Sequence, residues 1–198
     1  MKTKLLTLIF GAILFVSCQQ KEMKISRSDY SVQTEMNDFS PAYILKNDEG
    51  KAELQKNSLI GNTNWVLSVE RDLTLGEVAP FLQELTEKKF QKDGMHEDTK
   101  DIYFVYSDTL HQQNAYVKLP FKKVSLEKPP QEEITKRAYN FFVYSKDSLE
   151  GIYSKVWTEE DYLFSFDKNM DFETFIYTLI DIEKQRFSEN VNTKVYVN

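Results

Sequence analysis

The stretch NWVLSVERDLTLGEVAPFLQELTEKKF, residues Asn64 to Phe90, contains the building block of this chain. It begins with a nearly continuous apolar strand, Trp65 to Val69, of the kind that is covered on both faces of a sheet. A charged turn, Glu70-Arg71-Asp72, leads into a helix whose start is marked by Thr74 and Glu77, the spacing of a capping box. The helix carries one apolar stripe, formed by Val78, Phe81, Leu82 and Leu85. The sequence here predicts a buried strand, a turn and an amphipathic helix.

The same pattern returns from Asp161 to Phe187, in DYLFSFDKNMDFETFIYTLIDIEKQRF. When the first half is shifted by 97 positions, Trp65 falls on Tyr162, and the helix cap Thr74 falls on Asp171. Apolar and charged residue classes match through the strand and the turn, which indicates an internal duplication. The expected fold class is α+β, with two tandem ββαβ-like units, each a small mixed sheet with a helix packed on one face.

Two prolines and a charged run, Lys128 to Glu133, mark the boundary between these units, because they neither continue a helix nor pair in the middle of a sheet. We expect the first unit in residues 41–127, a linker in residues 128–137 and the second unit in residues 138–198. Beyond the two quoted stretches, we expect strands or extended returns at Ala42–Leu45, Lys51–Ile60, Ile102–Tyr106, Ala115–Phe121, Asn140–Tyr144, Gly151–Trp157 and Lys194–Val197.

The N-terminus has the layout of a secretory signal peptide, expected over residues 1–17. Met1 to Lys4 is basic, and Leu5 to Val16 is apolar but too short to span a bilayer comfortably. The segment Leu14 to Cys18 resembles the lipobox of bacterial lipoproteins, in which the signal is cut before the cysteine and the thiol is acylated. Phe15 stands where that family usually has Leu. A plain cleaved signal, or a signal anchor with an incidental cysteine, is the alternative.

Cysteine usage favours the lipoprotein, because Cys18 is the only cysteine and no disulfide can form within the chain. Residues 19–40 are polar and lack periodicity, so residues 18–40 are expected to form the lipidated Cys18 and a flexible tether. More than one acyl chain would anchor the protein stably. The expected location is the cell envelope, at the outer membrane, with the membrane as a partner through the lipid on Cys18.

The charge of the chain argues against nucleic acid as a partner. The sequence has 25 Lys and Arg residues against 31 Asp and Glu residues, a formal charge of −6. Removal of Lys2 and Lys4 with the signal would bring the mature chain to about −8, a sign that repels phosphate backbones. The lipid, rather than charge, is therefore expected to hold the protein at the membrane.

The repeated unit is similar to the periplasmic domain of the ExbD/TolR biopolymer-transport proteins. Glu70-Arg71-Asp72 and Asp167-Lys168-Asn169 sit where that family carries an Asp-Lys turn, and the resemblance covers about residues 42–106 and 140–197. It implies a hairpin, a strand, a helix and a final strand in each unit. We take Glu70, Arg71, Asp72, Asp167 and Lys168 as candidate interaction residues.

The chain also departs from that family. ExbD-like proteins have a transmembrane helix with an acidic residue that takes part in proton flow, whereas the apolar segment Leu5 to Val16 has no Asp or Glu. We therefore do not expect a proton-coupled subunit. The family's periplasmic domains work as dimers, and two fused copies could be a covalent version of that pair.

Little in the sequence points to catalysis, and we expect no catalytic residues, no metal and no cofactor. His96-Glu97-Asp98 offers too few ligands for a structural metal site. Asp108-Thr109-Leu110 and Asp147-Ser148-Leu149 resemble a short O-glycosylation motif of some Bacteroidetes. The alternative function is a secreted hydrolase that acts on glycan or peptide through acidic residues, in candidate sets formed by Glu70 with Asp167, Glu132 with Glu133, and Glu159-Glu160-Asp161.

The expected function is a non-catalytic, membrane-anchored envelope lipoprotein that acts as a binding or interaction module in the periplasm or at the cell surface. Its expected partner is an envelope protein or a cell-wall glycan, which exposed tyrosines could stack on.

Overall fold

The computed structural model describes residues 23–90, 100–136, 139–145, 162–184 and 191–198. Its fold class is α+β, as the sequence predicts, with two β-sheets and, in the described ranges, three helices. The helices are α1 (Leu75–Phe90), α2 (Gln131–Lys136) and α3 (Phe172–Lys184). The strands are β1 (Arg27–Ser28), β2 (Phe39–Lys46), β3 (Ala52–Gln55), β4 (Asn64–Val69), β5 (Ile102–Asp108), β6 (Gln113–Lys118), β7 (Lys123–Ser125), β8 (Tyr139–Val143), β9 (Tyr162–Phe166) and β10 (Val191–Val197).

The first sheet contains β1 to β6 and has three parallel strands, β2, β4 and β5, at its centre. In register, Ala42 lies opposite Leu67, and Leu67 lies opposite Phe104. The strands β3 and β6 pair antiparallel on the two outer sides, and β1 lies parallel to the end of β5. The helix α1 connects β4 to β5, as expected for a crossover between parallel neighbours.

The second sheet has the order β7-β10-β9-β8, and all of its pairs are parallel. The helix α3 connects β9 to β10 in the way that α1 connects β4 to β5. The two halves therefore share a strand–helix–strand order. That they are tandem copies of one unit stays a prediction.

Both long helices bury their apolar stripes in one continuous core. The ring of Phe175 in α3 lies 6.0 Å from the ring of Phe104 in the first sheet and 5.2 Å from that of Phe166 in the second, measured between centroids. Since one side chain touches both sheets, the halves share a core instead of each enclosing its own.

The predicted flexible tether over residues 18–40 is wrong where the structure describes it. Residues 24–33, here called the N-terminal strap, are held on the first sheet. The carbonyls of Ser26 and Ser28 accept hydrogen bonds from the amides of Ser107 and Thr109, both at 2.8 Å. Both serines are buried. The hydrophobic periodicity of the sequence does not predict the strap, because backbone groups, which every residue carries, pair it with β5.

The predicted unit boundary is also wrong. β7 lies in the range assigned to the first unit, yet it pairs with β10 of the second sheet, and Val124 is buried there. The predicted linker contains α2, because Pro130 precedes the helix, where a missing amide costs nothing, and its carbonyl accepts from Glu133 and Ile134. Several predictions concern residues that lie outside the described ranges. These are the predictions for residues 1–17, Cys18, the return strand at 151–157, and the groups 96–98, 147–149 and 159–161.

Candidate functional site

The two helix caps, Thr74 and Asp171, meet in an antiparallel bridge. On either side of it, the amide of Leu75 donates to the carbonyl of Met170 at 2.8 Å, and the amide of Phe172 donates to the carbonyl of Leu73 at 3.0 Å. The donors Leu75 and Phe172 are 97 positions apart, and so are the acceptors Leu73 and Met170, so the two bonds join equivalent positions of the two halves. The contact, which we call the cap junction, is therefore two-fold symmetric in its backbone pairing.

Each cap also holds its own helix by local bonds. The Thr74 hydroxyl and amide donate to one oxygen of Glu77 at 2.9 and 2.7 Å, and the Glu77 amide donates back to Thr74 Oγ1 at 3.3 Å, the predicted capping box. The Asp171 carboxylate accepts from the amide and the hydroxyl of Thr174, at 2.7 and 2.9 Å. These bonds use polar groups that helix ends leave unsatisfied.

Gly76 lets the two turns approach each other closely. Its amide donates to the carbonyl of Lys168 at 2.7 Å. A Cβ at this position would lie 2.9 Å from that same oxygen, closer than a real side chain tolerates. The absence of a side chain at residue 76 is therefore part of how the second turn packs on α1.

The structure thus brings together the two turns that the sequence proposed as interaction sites. An open pocket of about 360 Å³ lies at the cap junction. Its lining comes from both turns, both caps and the strap, and consists of Arg27, Arg71, Asp72, Leu73, Thr74, Asn169, Asp171 and Glu173. Of the five candidate interaction residues, Arg71 and Asp72 line this pocket.

The other three candidate residues support the turns. Glu70 is buried, and its Oε2 accepts from the Lys46 amide at 2.9 Å. Asp167 Oδ1 accepts from the amide and the side chain of Asn169, at 2.7 and 3.0 Å. Lys168 contributes the carbonyl that receives Gly76. These contacts position the pocket lining, whereas Arg71 and Asp72 supply part of its surface.

Charges at the pocket are largely paired. The backbone amide and Nε of Arg27 approach Glu173 Oε1 at 3.0 and 3.2 Å, and Arg71 Nε lies 3.8 Å from Asp72 Oδ1. The amides of Leu75, Gly76 and Glu77 in the first turn of α1 all donate within the protein. This helix end is therefore not a preformed anion site. The arrangement offers a polar, mixed-charge surface suited to a partner with complementary charges.

Sequence reasoning missed a second polar cluster, which pins the strap. The Ser31 hydroxyl and His111 Nδ1 both bond to Asp108 Oδ2, the latter at 2.7 Å, and the amides of Leu110 and His111 donate to Oδ1. The hydrogen bond from Ser31, followed by those from His111 and Leu110, holds the pKa of the Asp108 carboxyl well below its usual range. The hydroxyl donates to the carboxylate and not to the imidazole, so the geometry is not that of a nucleophilic triad.

Of the carboxylates named for the hydrolase alternative, those that the structure describes lie in structural contacts. Glu132 pairs with Lys136 along α2, and Glu133 lies 3.4 Å from Lys194. Across the described ranges, no group of three or more His, Cys, Asp or Glu side chains could hold a metal ion. In the same ranges, no helix combines the length and apolarity needed to cross a membrane.

Comparison with family models, with curated proteins and with solved structures found no match to this chain.

Proposed function

We propose that this protein is an envelope lipoprotein, acylated on Cys18, that acts as a non-catalytic binding module for another envelope protein. The observation that supports the binding role is the pocket at the cap junction, where Arg27, Arg71, Asp72 and Glu173 present paired charges on an open surface. Such a surface suits recognition of a charged protein segment, because complementary charges steer and orient a partner.

The resemblance to ExbD/TolR domains gives the proposal its fold-level support. The order β2-β3-β4-α1-β5 is the hairpin, strand, helix and strand that the resemblance implies. The fused-dimer hypothesis is supported by the symmetric bonds around Thr74 and Asp171, in which each half uses the same positions toward the other. The sequence-based alternative of a cell-wall glycan as ligand would use exposed tyrosines, such as Tyr43, instead of this pocket.

A charge-swap experiment tests the binding role. Arg27→Glu alone breaks the ion pair with Glu173, whereas Arg27→Glu combined with Glu173→Arg restores an ion pair with its polarity reversed. A photo-crosslinking residue at Asp72 is expected to capture a defined envelope protein in intact cells, and capture should fall in both variants. Asn62, which is exposed in the loop before β4, is the control position for the crosslinker. Equal capture from positions 72 and 62, or full capture by the charge-swapped protein, would contradict recognition at this pocket.

A separate experiment tests the anchor. Cells fed radiolabelled palmitate should label the protein, and Cys18→Ala should abolish the label. Labelling that survives Cys18→Ala would remove the lipoprotein proposal.

A further inference from the structure

The N-terminal strap brings the chain onto the fold at one well-defined point. The carbonyl of Lys24 accepts from the amide of Arg71 at 2.9 Å, and Ile25 forms a bridge with Glu70. Farther along, Tyr106 Oη donates to the carbonyl of Tyr30 at 3.0 Å. The strap is therefore attached to the sheet from Lys24 onward, beside the turn that helps form the cap junction.

Only five residues, 19–23, separate Lys24 from Cys18. Six steps of about 3.6 Å limit the distance between the Cα atoms of Cys18 and Lys24 to about 22 Å, whatever conformation the chain adopts. A domain of this length is about 40 Å across, judged from a radius of gyration of about 16 Å. A tether shorter than the domain cannot let the far side of the protein turn toward the bilayer.

We propose that the cap junction is the face of the protein held against its own bilayer, so that the pocket opens toward the lipid headgroups. This inference rests on the proposed acylation of Cys18. The residue that joins the strap to the turn, Arg71, also lines the pocket, as does Arg27 of the strap itself. The anchor point and the pocket are therefore adjacent, and a short anchor brings both to the membrane together.

Quenching by headgroup-bound nickel measures the orientation. The full-length acylated protein is reconstituted in phosphatidylethanolamine and phosphatidylglycerol vesicles that contain a nickel-chelating lipid. A fluorophore is attached to Asp72→Cys or, as the matched control, to Asn62→Cys, while the acylated Cys18 sulfur does not react. Both positions are exposed, and they lie at opposite ends of β4, whose six residues span about 20 Å. We expect the probe at position 72 to be quenched about fivefold or more faster than the probe at position 62, because dipolar quenching falls with the inverse sixth power of distance and β4 separates the two positions by about 20 Å.

A longer tether separates the anchor effect from other causes. Insertion of about twelve Gly and Ser residues between Gln20 and Lys21 should bring the two quenching rates close together, since a flexible linker of that length frees the domain. Equal quenching with the native tether, on protein whose acylation is verified by mass spectrometry, would overturn the orientation and leave the lipoprotein proposal intact. A mass spectrum without acyl chains on Cys18 would instead refute the anchor itself, and the orientation with it.

Discussion

Thr74 and Asp171 face each other in an antiparallel bridge, and each also caps one of the two long helices. Each of the two residues therefore has two roles: it caps the start of its own helix, and it pairs with the residue that caps the other helix. Local capping fixes where each helix begins. The bridge then fixes how the halves meet, through the amides of Leu75 and Phe172.

Gly76→Ala tests this contact. Alanine in place of glycine inside a helix ordinarily stabilises by about 0.5–1 kcal/mol. Here the new Cβ would lie 2.9 Å from the Lys168 carbonyl oxygen, and we expect a loss of about 1–3 kcal/mol in the free energy of unfolding. Urea denaturation measures it, with Gly61→Ala as the control, because a Cβ there meets no atom within 4 Å. A stabilised Gly76→Ala protein would show that the turns do not approach so closely.

Tyr106→Phe should loosen the N-terminal strap. The Tyr106 hydroxyl accepts from the Val32 amide at 2.9 Å and donates to the Tyr30 carbonyl, and burial raises its pKa to about 12. Its removal leaves two backbone groups without their partner, at a cost of about 1–3 kcal/mol. Hydrogen exchange of the Val32 amide should accelerate, whereas Tyr43→Phe, on an exposed side chain, should change nothing measurable. Unchanged protection of Val32 would mean that the hydroxyl does not hold the strap.

Asp108 should make the strap sensitive to acid. Its folded-state pKa is held below the ordinary value of 3.8, chiefly by the Ser31 hydroxyl, so its stabilising contribution is fully present above that value. The contribution is lost as the pH falls from there through the folded-state pKa. Urea titrations at a series of pH values should show a steeper acid loss for the native protein than for Asp108→Asn. The Asn variant should be less stable at neutral pH, and parallel acid limbs for the two proteins would contradict the role of this carboxylate.

The sequence predicted those parts of the fold that local spacing determines. Thr74, Glu77 and Asp171 act as helix caps where the spacing placed them, and Trp65 to Val69 forms a central strand. Features that depend on distant backbone pairing did not show in the pattern. The strap and β7 carry no periodicity, because carbonyls and amides attach them, and Val124 is a single apolar residue in a three-residue strand.

The candidate site was predicted only in part, because it too combines local sequence features with a contact between distant residues. Charged turns after two strands were visible in the sequence, and Arg71 and Asp72 do line the pocket. The contribution of Arg27 was not visible, because it depends on a contact with Glu173, 146 positions away. No local rule predicts such a pair.

Lys89→Met should detach the loop before β4 from the end of α1. Lys89 is buried, its Nζ donates to the carbonyls of Gly61 and Thr63 at 2.8 and 2.6 Å, and it lies 4.6 Å from the Trp65 ring centroid. Methionine fills a similar volume without a donor, so we expect a loss of about 1–3 kcal/mol in urea denaturation.

Lys88→Met is the matched control for that loss. Lys88 is exposed on the same helix, and its replacement should change stability by less than about 0.5 kcal/mol. Burial lowers the pKa of Lys89, so the folded protein releases this proton at lower pH than the unfolded chain does. The native protein should therefore gain stability relative to Lys89→Met as the pH rises toward 10.5. Equal losses of stability in Lys89→Met and Lys88→Met would show that the missing positive charge, and not the missing hydrogen bonds of Lys89, causes the loss.

Phe175→Ala should weaken both halves of the molecule at once. The Phe175 ring contacts Phe104 of the first sheet and Phe166 of the second, and its removal opens a cavity that costs about 3–5 kcal/mol. Because the two sheets share this core, peptides from α1 and from α3 should lose protection together in hydrogen–deuterium exchange. Phe39→Ala, on an exposed ring, is the control and should leave both sets protected. Loss of protection confined to the second sheet and α3 would show that the halves unfold as separate units, which their common core does not allow.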